Sequence, residues 1–444
     1  MAAENNLQRP ATHLPLAGLR VLDLTMFWAG PHCTMLLGDM GAEIVKVESL
    51  RHFCSTRVRD IYPGGDPGDQ PWERSGLFIE RNRSKLGITL DLTTGEGIEV
   101  LKHLARLSDV LIENFSYGML QRFGLDYDTL QRIHPELIVV SMPSLGNSGP
   151  ERDFSSGGGA IEQLAGIASL NGYPGDPPRN SAIVYPDVIA GIHAVGAVLT
   201  ALRTRRKTGK GLFIDLSHLE SAIPFIADAV MDYAMNRRIQ GPRGNRDPRM
   251  APHGCFRCKG EDEWVAIAVK DNTEWRSLCE LIGRPDLSTD PRFRDGPGRY
   301  QNYEALDPEI EAWTSTHDHR TAMHLLQEAG IAAGAVLSNK DLLEDPHLRE
   351  RDFFQMVSHP VAGAHPLLGL SWNLSKTPGS VRLPAPCLGQ HNHHVYQEIL
   401  GLPTERIEAL EAQGVVGTVP YESYVSRLAQ GAGIPVPALV QRGR

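Results

Sequence analysis

The chain has 444 residues, 41% of them hydrophobic and 22% charged, with a formal net charge of −9. This is an ordinary globular composition with ample material for a core, and the length suits two domains or one large one. The acidic balance argues against a broad nucleic-acid-binding face, while a local basic pocket stays allowed.

Residues 1–14 read as a loose leader with no basic region followed by an apolar core, so no signal peptide is expected. Lys and Arg are expected to interrupt every apolar run before it reaches membrane-spanning length. Six cysteines make no disulfide framework in a chain this long, and a reducing, cytoplasmic setting is expected. Gly18 to Thr25 has a strand pattern, Met26 to Gly30 a turn, and Pro31 opens a helix carrying Met35, Leu36, Leu37 and Met40. Glu43 to Glu48 is a second strand, which completes a βαβ unit. No GxGxxG fingerprint accompanies it, so a dinucleotide site is disfavoured. Residues 50–80 read as a long irregular loop. Strands follow at Gly87–Leu92, Asp109–Phe115 and Leu137–Met142. Between them lie a helix begun at Thr94 and a short one through Leu120 and Arg122. Such alternation predicts a doubly wound α/β layer on a parallel sheet.

Gly157, Gly158 and Gly159 precede a helix carrying Ile161 and Leu164. A glycine run there either admits close approach of a ligand to the backbone or is a surface loop. The stretch from Asn180 to Ser217 then organises the chain. Asp187 sits where a long apolar helix begins, and Val188, Ile189, Ile192, Val195, Val198, Leu199 and Leu202 recur at helical spacing. Arg203, Arg205, Arg206 and Lys207 close it, and Gly209 stops it. Two accounts of Asp187 stand side by side. It is a helix N-cap, or it is a carboxylate nucleophile held ionised beside amide donors that would also serve an acyl oxyanion.

Beyond residue 225 the texture changes. Asn236 to His253 reads as a linker, and Trp264–Val269 as a strand. Helices near 272–282 and 303–316 complete a small α+β domain. Cys255 and Cys258 form a lone CxxC with no second ligand pair near in sequence, so no metal is expected. The expected divisions are a large α/β domain over 15–225, a small domain over 226–330, a return to the large domain over 331–416, and an extension of little periodicity over 417–444.

Taken in order, these motifs resemble the family III CoA-transferases, the group that includes formyl-CoA transferase, carnitine CoA-transferase and the α-methylacyl-CoA racemases. The matching pieces are LAGLRVLDLT at 16–25 with AGP at 29–31, GAEIVKVE at 41–48, NRSKLGITLDL at 82–92 and DVLIENF at 109–115. GNSGP at 146–150, PDVIAG at 186–191, RRKTGKG at 205–211 and PAPCLGQHN at 384–392 follow. The resemblance implies a doubly wound large domain built from both ends of the chain, a smaller inserted domain, and two chains interlocked as a dimer with an identical or related partner. It implies Asp187 as the nucleophile, with Lys85 and Arg122 along bound CoA. Asn114 and Phe115 would wall the nucleotide beside Ala29, and Arg57 matches the arginine after the second strand. Acyl-CoA and a carboxylic acid would be the substrates, with no permanently bound cofactor, no nucleic acid and no membrane.

The implied reaction passes CoA between two carboxylates through mixed anhydrides and an aspartyl-CoA thioester, with Gly157, Gly158 and Gly159 as a flap offering oxyanion donors. Three departures qualify the match. The racemase histidine falls on the glycine run, which cannot move a proton. Trp28 replaces the glutamine of formyl-CoA transferase, which predicts an acceptor larger than oxalate, whether aromatic, branched or dicarboxylic. Ser49 and the missing Gly-Asp before Arg57 alter the segment after the second strand. The alternatives are a CoA-ester racemase or epimerase using Asp187 as one base, and a CoA-binding subunit of a hetero-oligomer.

Overall fold

Six short parallel strands frame the larger unit: β1 (Arg20–Asp23), β2 (Glu43–Glu48), β3 (Lys85–Thr89), β4 (Val110–Glu113), β5 (Ile138–Ser141) and β6 (Phe213–Asp215). They lie in the order β3-β2-β1-β4-β5-β6, every neighbouring pair parallel. The computed structural model describes residues 13–433 apart from Asp60 and Ser155; most of the leader and residues 434–444 lie outside the described residues. Side chains alternate across each strand, so Val21, Ile44, Val110 and Ile138 enter one core while Leu22, Val45, Leu111 and Val139 enter another. Both faces are covered, which is why these strands read as continuous apolar runs.

Through Ala222 the helices of this unit are α1 (Ala29–Asp39), α2 (Gly76–Arg81), α3 (Gly95–Arg106), α4 (Met119–Arg122), α5 (Tyr127–Ile133), α6 (Gly158–Leu164), α7 (Tyr185–Thr208) and α8 (His218–Ala222). Thr94 caps α3 by accepting from Gly97 N–H at 3.0 Å. Cys33 and Leu37 of α1 and Ala190, Ala194 and Val198 of α7 cover one face of the sheet. Tyr396, Ile407 and Leu410, from the far end of the chain, help cover the other.

The chain divides into two compact units. The larger takes residues up to Ile167, Asn180–Ala227 and the chain from Glu350; the smaller takes Ala168–Arg179 and Asp228–Arg349. Within the smaller unit, β7 (His253–Arg257), β8 (Trp264–Ala268) and β9 (Ala332–Ala335) form an antiparallel sheet. Trp275, Leu278 and Leu326 pack in its core. The expected return at 331 is therefore displaced to Glu350, because β9 pairs with β8, Val265 opposite Ala335.

Three further expectations change. Residues 50–80 are not structureless: they hold α2 and the short turns Ser55–Arg57 and Pro71–Glu73. The extension carries a helix, Glu422–Ala432, whose Tyr424 hydroxyl donates to the Phe53 carbonyl at 3.0 Å. Finally, α7 is 24 residues long and by length and composition alone could cross a membrane. Lys and Arg enter it only in its last turns, after Leu202. Its Ala190, Ala194 and Val198 are nonetheless core residues on the sheet.

Candidate active site

Every strand of the six ends on a polar residue: Asp23, Glu48, Thr89, Glu113, Ser141 and Asp215. At this carboxyl edge β1 and β4 lie side by side, although the chain runs from β1 outward to β2 and β3 before returning to β4. That is a topological switch point, where an open α/β sheet leaves a crevice. A cleft of about 410 Å³ opens there, walled by the segments that leave β1, β4 and β5.

Trp28 and Ala29 line it from the turn after β1 and the start of α1, Asn114 and Phe115 from the end of β4, and Gly157 and Gly158 from the start of α6. Asp187 and His218 complete it. Asn114 sets the turn: its side chain accepts from Met26 N–H at 2.7 Å and donates to Met26 C=O at 2.8 Å. Phe27, at φ +63°, is held there in a left-handed conformation. The seat of α7 is equally specific. A Cβ on Gly191 would lie 2.7 Å from the Ala29 carbonyl oxygen, so only glycine lets α7 meet the start of α1.

Asp187 is not the N-cap. That position belongs to Val184, at φ +58°, which offers no side-chain cap, and Asp187 is the third residue of the helix. A β-branched residue at positive φ is a strained arrangement. Among the described residues the Asp187 carboxylate accepts no hydrogen bond from a backbone amide. Its one ion-pair partner among the described residues is the His218 imidazole, Nδ1 to Oδ1 3.7 Å, which carries charge only when protonated. On its other side lies Gly158, where a Cβ would stand 1.9 Å from Val184 Cγ1 and 3.0 Å from Asp187 Oδ2. The carboxylate is thus bounded by a glycine backbone, an imidazole and the open cleft.

The remaining candidates fall elsewhere. Gly159 lies inside α6 and does not line the cleft; Arg122 is exposed at the end of α4, next to a neighbouring cavity lined by Gly118, Leu120 and Gln121. Lys85 and Arg57, expected along CoA and after the second strand, are engaged by protein groups. The Lys85 ammonium is fully buried and donates to Asp23 Oδ2 at 3.0 Å, Asn82 Oδ1 at 3.0 Å and the Pro31 carbonyl at 3.1 Å. Burial lowers its pKa to about 8. Burial would raise the Asp23 carboxyl, but Lys46 and Lys85 outweigh it and hold it at about 2. Arg57 is fully buried too. It pairs with Glu48 at 2.7 Å and Glu73 at 3.0 Å, donates to the carbonyls of Trp72 and Pro386, and lies over the Phe78 ring. Neither side chain keeps a donor for a ligand; both tie the chain together.

Sequence reasoning missed three residues. His218 follows Ser217, which caps α8, and a histidine just after a strand–cap junction was the available signal. Its Nε2 is buried with no hydrogen-bond partner among the described residues. Arg152 lies over the Tyr117 ring at 4.5 Å, at the wall of the cleft. Arg81 lies over the Trp28 ring at 3.8 Å. Burial lowers the Arg81 pKa, and Glu80, Cys54 and Asp187 act against that.

Known proteins share this sequence pattern and fold. The profile of CoA-transferase family III matches residues 16–392. The succinyl-CoA–D-citramalate CoA-transferase of Chloroflexus aurantiacus is 32% identical over 415 residues, 92% of this chain and 99% of that enzyme. The formyl-CoA:oxalate CoA-transferase of Streptomyces avermitilis is 31% identical over 419 residues, 90% of this chain and 99% of that enzyme. The crystal structure of a CAIB/BAIF family protein from Brucella suis superposes with a TM-score of 0.80 at 29% identity, covering 87% of this chain and 100% of that one. The chain therefore belongs to the family III CoA-transferases and is a CoA-transferase whose substrates are an acyl-CoA and a carboxylic acid.

Proposed function

We propose that this CoA-transferase works through a covalent intermediate on Asp187. The observation that carries the reading is a carboxylate at the start of α7 that caps nothing and faces the cleft between Gly158 and His218. One Asp187 oxygen attacks the thioester carbonyl of the donor. The tetrahedral intermediate collapses to a mixed anhydride and expels CoA thiolate. The thiolate attacks the aspartyl carbonyl, releasing the donor acid and leaving an aspartyl-CoA thioester. The acceptor carboxylate attacks that thioester, which forms a second anhydride and frees the thiolate again. Attack of the thiolate on the acceptor carbonyl yields the new acyl-CoA and restores Asp187. Both anhydrides would be lost to water, which a narrow cleft with a glycine wall helps exclude.

Ala29, Asn114 and Phe115 form the wall along CoA, Trp28 lines the acyl pocket, and Arg122, exposed beside the adjoining cavity, meets CoA phosphate. The acceptor is dicarboxylic. Supporting this, the Trp28 ring carries the Arg81 guanidinium on its face, so the wall is cationic as well as apolar. The acids in the names of the two related enzymes, citramalate and oxalate, are also dicarboxylic. A second chain covers the outward face of α7, where Ile192 is 53% and Leu199 44% exposed.

The test is chemical trapping. Incubation with succinyl-CoA, a quench with hydroxylamine or borohydride, and peptide mass spectrometry should reveal modification at position 187. Turnover without any such adduct would overturn the covalent reading. Exchange of an α-proton with deuterated solvent in place of CoA transfer would favour a racemase.

A further inference from the structure

We propose that Arg81, stacked on Trp28, is a carboxylate-binding subsite that reads the distal acid group of a dicarboxylic acyl substrate. This rests on the CoA-transfer reading above and names the residue that selects its substrate. Arg81 ends α2 and is 9% exposed. Arg57, Arg83 and Lys85 are buried as well, and each faces a buried carboxylate at 2.7, 2.9 and 3.0 Å. Arg81 has no counterpart of that kind. Among the described residues its guanidinium makes no hydrogen bond and no ion pair; it lies over the Trp28 ring at 3.8 Å. Its neighbour Glu80 is engaged by Arg83 at 2.9 Å.

A largely buried guanidinium whose N–H donors engage no protein acceptor among the described residues is suited to take an anion as ligand. The indole occupies one face of the guanidinium and leaves the N–H edges, which suit a carboxylate in a forked pair. Two features set the identity of that anion. Trp28 lines the same cleft as Asp187, and the Arg81 and Asp187 charges act on one another. A cation felt at the attacking carboxylate lies on the acyl side of the thioester, because the whole pantetheine arm separates the thioester from the CoA phosphates. The anion is therefore the far carboxylate of the acid being activated or released.

Succinyl-CoA and butyryl-CoA test this, since they differ by a terminal carboxylate in place of a methyl. Wild type should favour succinyl-CoA, both in kcat/KM and in calorimetric Kd. Arg81→Gln should reduce that preference by about 10- to 100-fold, the range for a charge-assisted hydrogen bond. Arg81→Lys keeps the charge and loses the fork, and should fall between. Free succinate against free butyrate, as competitors, shows whether the acceptor acid is read by the same group. Equal losses for both thioesters, weaker binding of CoA itself in the Gln variant, or no preference in wild type would each overturn the proposal. Calorimetry keeps the two readings apart. A wild type that binds succinyl-CoA selectively but transfers no CoA would sink the transfer reading and leave Arg81 standing. If Arg81→Gln does not fold, the wild-type preference and the Lys variant decide.

Discussion

The imidazole of His218 stands 3.7 Å from the Asp187 carboxylate, Nδ1 to Oδ1, with its Nε2 buried and given no hydrogen-bond partner among the described residues. That separation is too long for a hydrogen bond and within ion-pair range only when the imidazole is protonated. A positioning role for His218, acting through Asp187, is the expectation to be tested. His218→Ala should lower kcat by about 10- to 100-fold with KM little changed, the scale on which a misplaced reacting group is felt. His218→Gln, which keeps a donor, should recover part of that loss. Steady-state kinetics decide, and variants that only lower the melting temperature would refute the role.

Asp187→Asn separates chemistry from helix stability. The carboxylate contributes only its charge near the helix start, about 0.3–1 kcal/mol, because Val184 holds the cap position. Urea unfolding should therefore change by no more than that. CoA transfer should fall on the order of 10⁴-fold or more, as when a nucleophile is removed. A large loss of stability would return Asp187 to a structural role.

Gly158→Ala places a methyl 1.9 Å from Val184 Cγ1 and 3.0 Å from the Asp187 carboxylate. Overpacking of this kind costs about 1–3 kcal/mol. The strain falls on the backbone that orients Asp187, so kcat should drop more than stability. Gly157→Ala, whose Cβ would meet open space, is the control one residue earlier.

Lys85→Met should unfold easily. It leaves Asp23 facing Lys46 alone in a site closed to water, and breaking a buried pair costs about 3–5 kcal/mol. Chemical denaturation should show the change directly. A stable variant with a raised KM for CoA would restore the CoA-contact role that the sequence suggested.

Glu113 predicts a pH dependence. Burial raises its carboxyl from an ordinary 4.5 to about 7, against the opposing bonds from Ser141 and the Phe115 amide. Between those values the folded protein holds a proton that the unfolded chain has released. Stability should therefore decline as pH rises from about 4.5 to 7 and level off above. Glu113→Gln should flatten that part of the profile in unfolding experiments across pH.

Much of this architecture is legible in one dimension. Strand parity, helix spacing and the punctuation of Thr94, Gly209 and the central glycines are local properties, set by backbone geometry over a few residues. They identified the βαβ start, the parallel sheet, the small-unit strand at Trp264 and the long helix at Asp187. Motif order then identified the family. Tertiary structure decided what each charge is for. Lys85 and Arg57 look like free cations in the chain, yet Asp23 lies 62 positions from one and Pro386 329 positions from the other. Arg81 meets Trp28, and His218 meets Asp187, only because α2 and α8 bring their ends to the same edge of the sheet as β1 and α7. Local propensity has no term for such encounters. Burial and pairing of charge are settled between segments that are distant in sequence, and only the folded chain sets which carboxylate is neutralised and which stays free to react.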